Sequence, residues 1–242
     1  MPTLHTSPAV SPRRQVVAAA LLLGSAILQY VAAAERWLVA PASWTRSDRW
    51  VEDHLFDYSY PADPWENIGA AAQWFGVGYV MLALGVLALA GTGGGSGNQL
   101  SKVSAVVAAM SSGLIGVHAF LSGVLGQPTF LQGPLALSAV VGPVALLGTA
   151  LVYARSSPLT ALACILLLIT TVPGYLFASM GVAPAVIGTQ SYDTTPHTET
   201  VVATSTAAAA FVLMTAAMVS ALRRRRRREG TARFVQQNMI GA

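Results

Sequence analysis

Six uninterrupted apolar runs, each close to the ~20 residues that a helix needs to cross a bilayer, constrain this chain more than any other feature. They occupy residues 16–34, 70–90, 103–124, 134–154, 159–179 and 201–222, and no Asp, Glu, Lys or Arg falls inside them. The runs are continuously apolar and do not alternate, so they read as helices and not as barrel strands. The expected fold is all-α: a polytopic bundle of six transmembrane helices. Composition agrees, with 10% charged residues and a mean hydropathy of +0.57, against about a quarter charged in soluble domains. The expected organisation is a short amino-terminal segment (1–15), a membrane domain (16–222) with an outer loop at 35–69, and a basic tail (223–242).

The charges are sorted between alternate connections. Arg13, Arg14, Lys102, Arg155, Arg223 to Arg228 and Arg233 fall in one set, with Glu229 as its single acid. Arg36, Arg46 and Arg49 share the other with Glu35, Asp48, Glu52, Asp53, Asp57, Asp63, Glu66, Asp193 and Glu199. Basic loops stay on the cytoplasmic side, so both termini are expected in the cytoplasm of a cell (plasma) membrane protein. The run Arg223, Arg224, Arg225, Arg226, Arg227, Arg228 follows an apolar span directly and reads as a topology anchor on anionic inner-leaflet lipid, not as a nucleic-acid site. The first run resembles a signal peptide behind Arg13-Arg14. Its nineteen residues, with Gln29 and Tyr30 near the end, exceed the usual core of about 7 to 15, and we expect it to be retained. Cleavage would leave five helices.

Between the spans, Gly91 to Lys102 reads as a flexible glycine-rich linker, with no Lys-Ser or Lys-Thr directly after its last glycine to cradle a phosphate. Pro143 and Pro173-Gly174 are expected to bend spans four and five. The pairs Ser112/Gly116 and Ser138/Gly142 suit close helix packing within the bundle. Trp37, Trp44, Trp50, Trp65, Tyr58 and Tyr60 in the long outer loop suggest an interfacial lid, with a short amphipathic helix around 44–56.

With ionisable residues absent at depth, ion-coupled transport recedes. His118 lies about six residues from the outer end of span three. Polar groups from nearly every helix share its level: Glu35, Arg36, Glu66, Asn67, Gln73, Gln132 and Glu199. This suits a polar pocket in the outer third of the bundle that binds a lipid or an apolar small molecule, in an accessory, sensor or lipid-handling role. A second reading is a membrane-embedded enzyme acting on a lipid or isoprenoid, with Glu66 or Glu199 as general acid or base and His118 as partner. A third is a structural subunit with a protein partner in the membrane. His54 with Asp57, and His197 with Glu199, offer metal-ligand chemistry without a recognised spacing and read as a solvated acidic face. We expect no cofactor and no metal.

Four stretches carry a family resemblance: Tyr60-Pro-Ala-Asp-Pro-Trp-Glu-Asn-Ile-Gly69, residues 116–128, residues 131–147, and Thr198-Glu199-Thr200. In their order the chain resembles the prokaryotic six-helix family called domain of unknown function 998, within a wider group linked to lipid handling. The resemblance implies a six-helix membrane fold and no established activity. Where that family often carries His at the start of span four and Glu-Arg at the start of span six, this chain has Gln132 and Glu199-Thr200.

Overall fold

The computed structural model describes residues 11–40, 54–90, 96–188 and 195–240, which are all-helical apart from turns and irregular loops. Helix α1 (Pro12–Ala34) starts where Ser11 accepts a hydrogen bond from the Arg14 amide and Pro12 takes the first position, a position where its missing N–H costs nothing. It continues through a π-helical turn, Glu35–Val39. Then come α2 (Ala71–Ala88), α3 (Ser96–Leu125), α4 (Gln132–Ala154), α5 (Pro158–Leu167), the short α6 (Val172–Phe177) and α7 (Ala183–Ile187), and α8 (Thr198–Ile240). Each long helix packs on the next in sequence, and α8 returns against α1 and α5, closing a ring.

Five of these helices are long and apolar enough to cross a membrane, and the bent pair Pro158–Thr170 with Val172–Ile187 makes a sixth if counted as one span. Side-chain size supports an apolar surrounding. On α1 the buried face is mostly alanine, Ala18, Ala19, Ala26, Ala32 and Ala33 beside Gln15, Leu22, Ser25 and Gln29, while Leu23, Ile27 and Val31 face outward. On α4, Leu137, Val140, Val144, Leu147 and Leu151 form an exposed stripe at helical spacing, an arrangement costly in water and natural against lipid.

Several expectations need correction. The connection after α2 is shorter than the linker assigned to 91–102, because α3 already begins at Ser96; residues 91–95 lie outside the described residues. The first span does not stop at its first charges, since the π-turn carries Glu35 and Arg36 on the same helix. The bend expected at Pro143 does not interrupt α4, in which that proline lies inside one continuous helix. The fifth span breaks where expected, by 76°. Thr171 turns extended and caps α6 by accepting from the Gly174 amide, while Pro173 lacks the N–H that a continuing helix needs. Glycine at 174 is required sterically: a β-carbon there would fall onto the Leu168 carbonyl oxygen. Helix α8 crosses the boundary drawn at residue 223 without interruption. Its 43 residues reach about 65 Å at 1.5 Å each, roughly twice a ~30 Å hydrocarbon core.

The small-residue pairs serve the bundle. Gly116 meets Gly76 of α2, where a β-carbon on either would lie 2.6 or 2.7 Å from the other's carbonyl oxygen, and Gly142 of α4 faces Ser111 of α3. Interior polar groups are paired across helices: Gln15 donates to Thr160, Gln29 to Thr206 as well as to Ser25 of its own helix, and Tyr153 to the Leu89 carbonyl.

Candidate functional site

The end of α1, the first turn of α8 and the helix α6 meet around Arg36, a fully buried guanidinium. The π-turn admits one extra residue, with the Ala40 amide bonding back to the Glu35 carbonyl. Through this turn three neighbouring side chains, Glu35, Arg36 and Trp37, reach separate partners. Glu35 accepts from the Ala70 amide at 2.7 Å and from the Trp74 indole at 3.2 Å. It thereby caps α2, which lacks a capping side chain of its own, and a carboxylate there meets the favourable end of the helix dipole. Gly69, at φ +51°, makes the approach possible, since a β-carbon would sit 2.9 Å from the Glu35 carboxylate.

Arg36 Nη1 donates to Glu199 Oε1 at 2.6 Å and lies 4.0 Å from Asp57 Oδ1. Trp37 donates its indole N–H to Glu199 Oε2 at 2.7 Å, and its ring lies 4.8 Å beneath the Arg36 guanidinium carbon. Tyr175, delivered by α6, donates to Glu199 Oε1 at 3.3 Å. Glu199, itself buried in the first turn of α8, therefore accepts three donors beside a helix N-terminus. The candidate spans Pro12–Val39 and Thr198–Arg226 extend past the uncharged runs to include Arg36 and Glu199 at their ends, and this ion pair is enclosed between α1 and α8.

The segment after the 3-10 turn His54–Phe56 folds inward over this pair. Tyr58 and Trp65 are buried, not interfacial. Tyr58 meets Phe75 edge-on and Tyr60 meets Tyr175 edge-on. Burial pushes both loop phenols well above their ordinary range, Glu199 adding to the effect at Tyr58 and Asp57 at Tyr60, so both stay protonated. The amphipathic helix expected around 44–56 falls mostly on residues 41–53, outside the described residues. Among the described residues, several buried polar atoms of Arg36 and of the loop have no hydrogen-bond partner: Arg36 Nε and Nη2, Tyr58 OH, Ser59 Oγ, Tyr60 OH and Trp65 Nε1.

The remaining candidates divide into separate attachments. His118 Nε2 lies 3.0 Å from the Pro61 carbonyl, which only accepts, and Nδ1 lies 2.7 Å from Thr129 Oγ1. Gln132 Nε2 approaches the same Pro61 carbonyl at 3.5 Å. Asn67 and Gln73 both donate to the Gly123 carbonyl, at 3.2 and 2.8 Å. The Pro61 and Asn67 contacts staple the loop onto α3 and α4, and the Gln73 bond joins α2 to α3. Glu66 is exposed and joins none of them, and neither Glu66 nor Glu199 is a hydrogen-bond partner of His118.

For metals, the described residues contain no gathering of three His, Cys, Asp or Glu side chains. His197 stacks near Trp37 at 5.8 Å, Asp57 Oδ1 accepts from the Ser59 amide, and the side chain of His54 lies outside the description.

Sequence reasoning missed Tyr175 and Thr129 and assigned Trp37, Tyr58 and Tyr60 to the interface. The Pro173-Gly174 break was the available signal for Tyr175, because a helix restarting there aims its first turn at the bundle. Comparison with protein-family models, with curated proteins and with solved structures found no match. The resemblance to the six-helix family therefore rests on sequence motifs alone.

Proposed function

We propose that this chain is a six-span plasma-membrane protein with both termini in the cytoplasm, and that the cluster around Arg36 holds the head of an uncharged lipid. The sorting of charges between alternate loops supports the orientation. So does the meeting of Arg13 with Arg224 and Arg225 along one groove, as expected when both ends emerge on the same side.

The unpartnered guanidinium nitrogens of Arg36 carry the ligand reading. Buried donors are costly when unmade, and here Arg36, Trp65 and the protonated Tyr58 and Tyr60 each keep a buried N–H or O–H group without a partner among the described residues. Such a lining calls for acceptor oxygens. Among the described residues Glu199 and Asp57 both face Arg36, which argues against an anion as its further partner. An ester carbonyl or a hydroxyl on a neutral lipid satisfies both conditions, with the apolar chains leaving toward the surrounding membrane. Acid–base turnover receives less support: His118 spends both nitrogens on Thr129 and Pro61, and Glu199 already accepts three donors.

Native mass spectrometry of the full chain, purified in mild detergent from its membrane, tests this reading. The wild type is expected to retain a neutral glycerolipid. The double variant Tyr58→Phe/Tyr60→Phe, which deletes only hydroxyls, is expected to lose about twofold to tenfold in retention per hydrogen bond removed. Equal retention by both proteins, or no retained lipid in the wild type, contradicts it.

A further inference from the structure

At the opposite, basic end of the bundle a second feature lies between α1 and α8. An apolar groove of about 480 Å³ is lined by Val16, Val17, Met214, Ala217 and Met218. It runs into a polar mouth of about 590 Å³ bordered by Arg13, Arg224, Arg225 and Glu229. The two parts share Pro12, Arg13 and Ala221, so they form one continuous channel along the pair of helices.

We propose that this channel is a binding site for one anionic phospholipid, its phosphate at the arginine mouth and an acyl chain along the apolar floor. From Met214 to Arg225 the α8 axis advances about 16 Å at 1.5 Å per residue, so the channel passes from apolar to basic over the depth at which a phospholipid passes from chain to phosphate. Three arginines against Glu229 leave the mouth positive, and Arg225 engages that acid through its Nε at 3.0 Å. Arg14 is committed elsewhere, donating to the Ala90 carbonyl, which leaves Arg13 as the α1 contribution. Val16, Val17, Met214 and Met218 are all substantially exposed, an apolar wall with no protein partner in the bundle. A peptide would not need a basic group at one end only, whereas a phosphate with a tail does. The site differs from general attraction of the arginine run to an anionic surface because it uses one face of α8. At about 100° per residue, Arg223 and Arg226 point away from the face that carries Ala217, Ala221, Arg224 and Arg225.

That geometry sets the test. The full chain is reconstituted with equal amounts of phosphatidylglycerol and phosphatidylcholine, and retained lipid is read by native mass spectrometry after transfer to mild detergent. The wild type is expected to keep phosphatidylglycerol selectively. Arg13→Gln/Arg224→Gln is expected to lose about 25-fold in that retention, roughly fivefold per arginine, whereas Arg223→Gln/Arg226→Gln, with the same charge removed, keeps it. These are exposed positions, and an unchanged melting temperature checks the fold of both variants. Equal losses in the two variants would mean diffuse attraction and would overturn the proposal, as would a wild type without preference. Displacement of the lipid by soluble glycerol phosphate would reveal a free-phosphate site and overturn it too. The outcome is independent of the outer cluster, where Tyr58 and Tyr60 are unaffected by these substitutions.

Discussion

Replacing Glu199 with Leu is expected to lower the stability of the bundle by about 3–5 kcal/mol, the usual cost of leaving one member of a buried ion pair without its partner. Arg36 is fully enclosed, and its shortest polar contact is the 2.6 Å bond to Glu199. Without that carboxylate the nearest anion to the guanidinium among the described residues is Asp57 at 4.0 Å, and Trp37 and Tyr175 lose the acceptor of their donated hydrogens. Unfolding by sodium dodecyl sulfate in mixed micelles measures the loss. The double variant Arg36→Met/Glu199→Leu is expected to recover much of it, because two apolar side chains of similar volume replace two desolvated charges. A single variant as stable as the wild type would mean that the pair is solvated, contrary to its enclosure.

The second large effect is expected at the crossing of α2 and α3. Gly116→Leu should cost about 3 kcal/mol, at the upper end of overpacking penalties, because its β-carbon would lie 2.7 Å from the Gly76 carbonyl oxygen and 2.9 Å from both the Tyr79 β-carbon and the Val80 nitrogen. Two of these neighbours are backbone atoms, so no rotamer change relieves the contact, and the helices must separate. Gly116→Ala, which adds only that β-carbon, should cost less. Gly133→Ala, at a position with open space around it, should be close to neutral. The same mixed-micelle titration ranks the three, and equal stabilities would show that α2 and α3 do not cross this closely.

Much of the helix inventory was legible because uninterrupted apolar runs carry their own length signal. Proline and glycine marked the break in the fifth span for a local steric reason. Two things were not legible. A charged residue ordinarily closes a span, so Glu35 and Arg36 read as loop, whereas the π-turn keeps them on the helix. What makes burial of Arg36 tolerable lies 163 positions away at Glu199, a distance over which no sequence periodicity reports. The convergence of polar groups at one level was visible in advance, but not their pairing. His118 and Gln132 find a carbonyl of the loop, Asn67 and Gln73 find one of α3, and only Arg36 and Glu199 meet each other. Tyrosine and tryptophan in an outer loop suit a membrane interface equally well as a folded-in lid, and only the tertiary structure distinguishes Trp65 packed inside from Trp65 at the surface.

The central claim is that the donors around Arg36 hold an uncharged lipid head. A high-resolution density map of the full chain in nanodiscs made from its native lipids tests it most directly. The account predicts lipid density with an acceptor oxygen within about 3 Å of Arg36 Nη2 and of the Tyr58 or Tyr60 hydroxyl, the ordinary reach of a hydrogen bond. Those donors bonded instead to protein groups or to isolated waters, with no lipid among them, would contradict it.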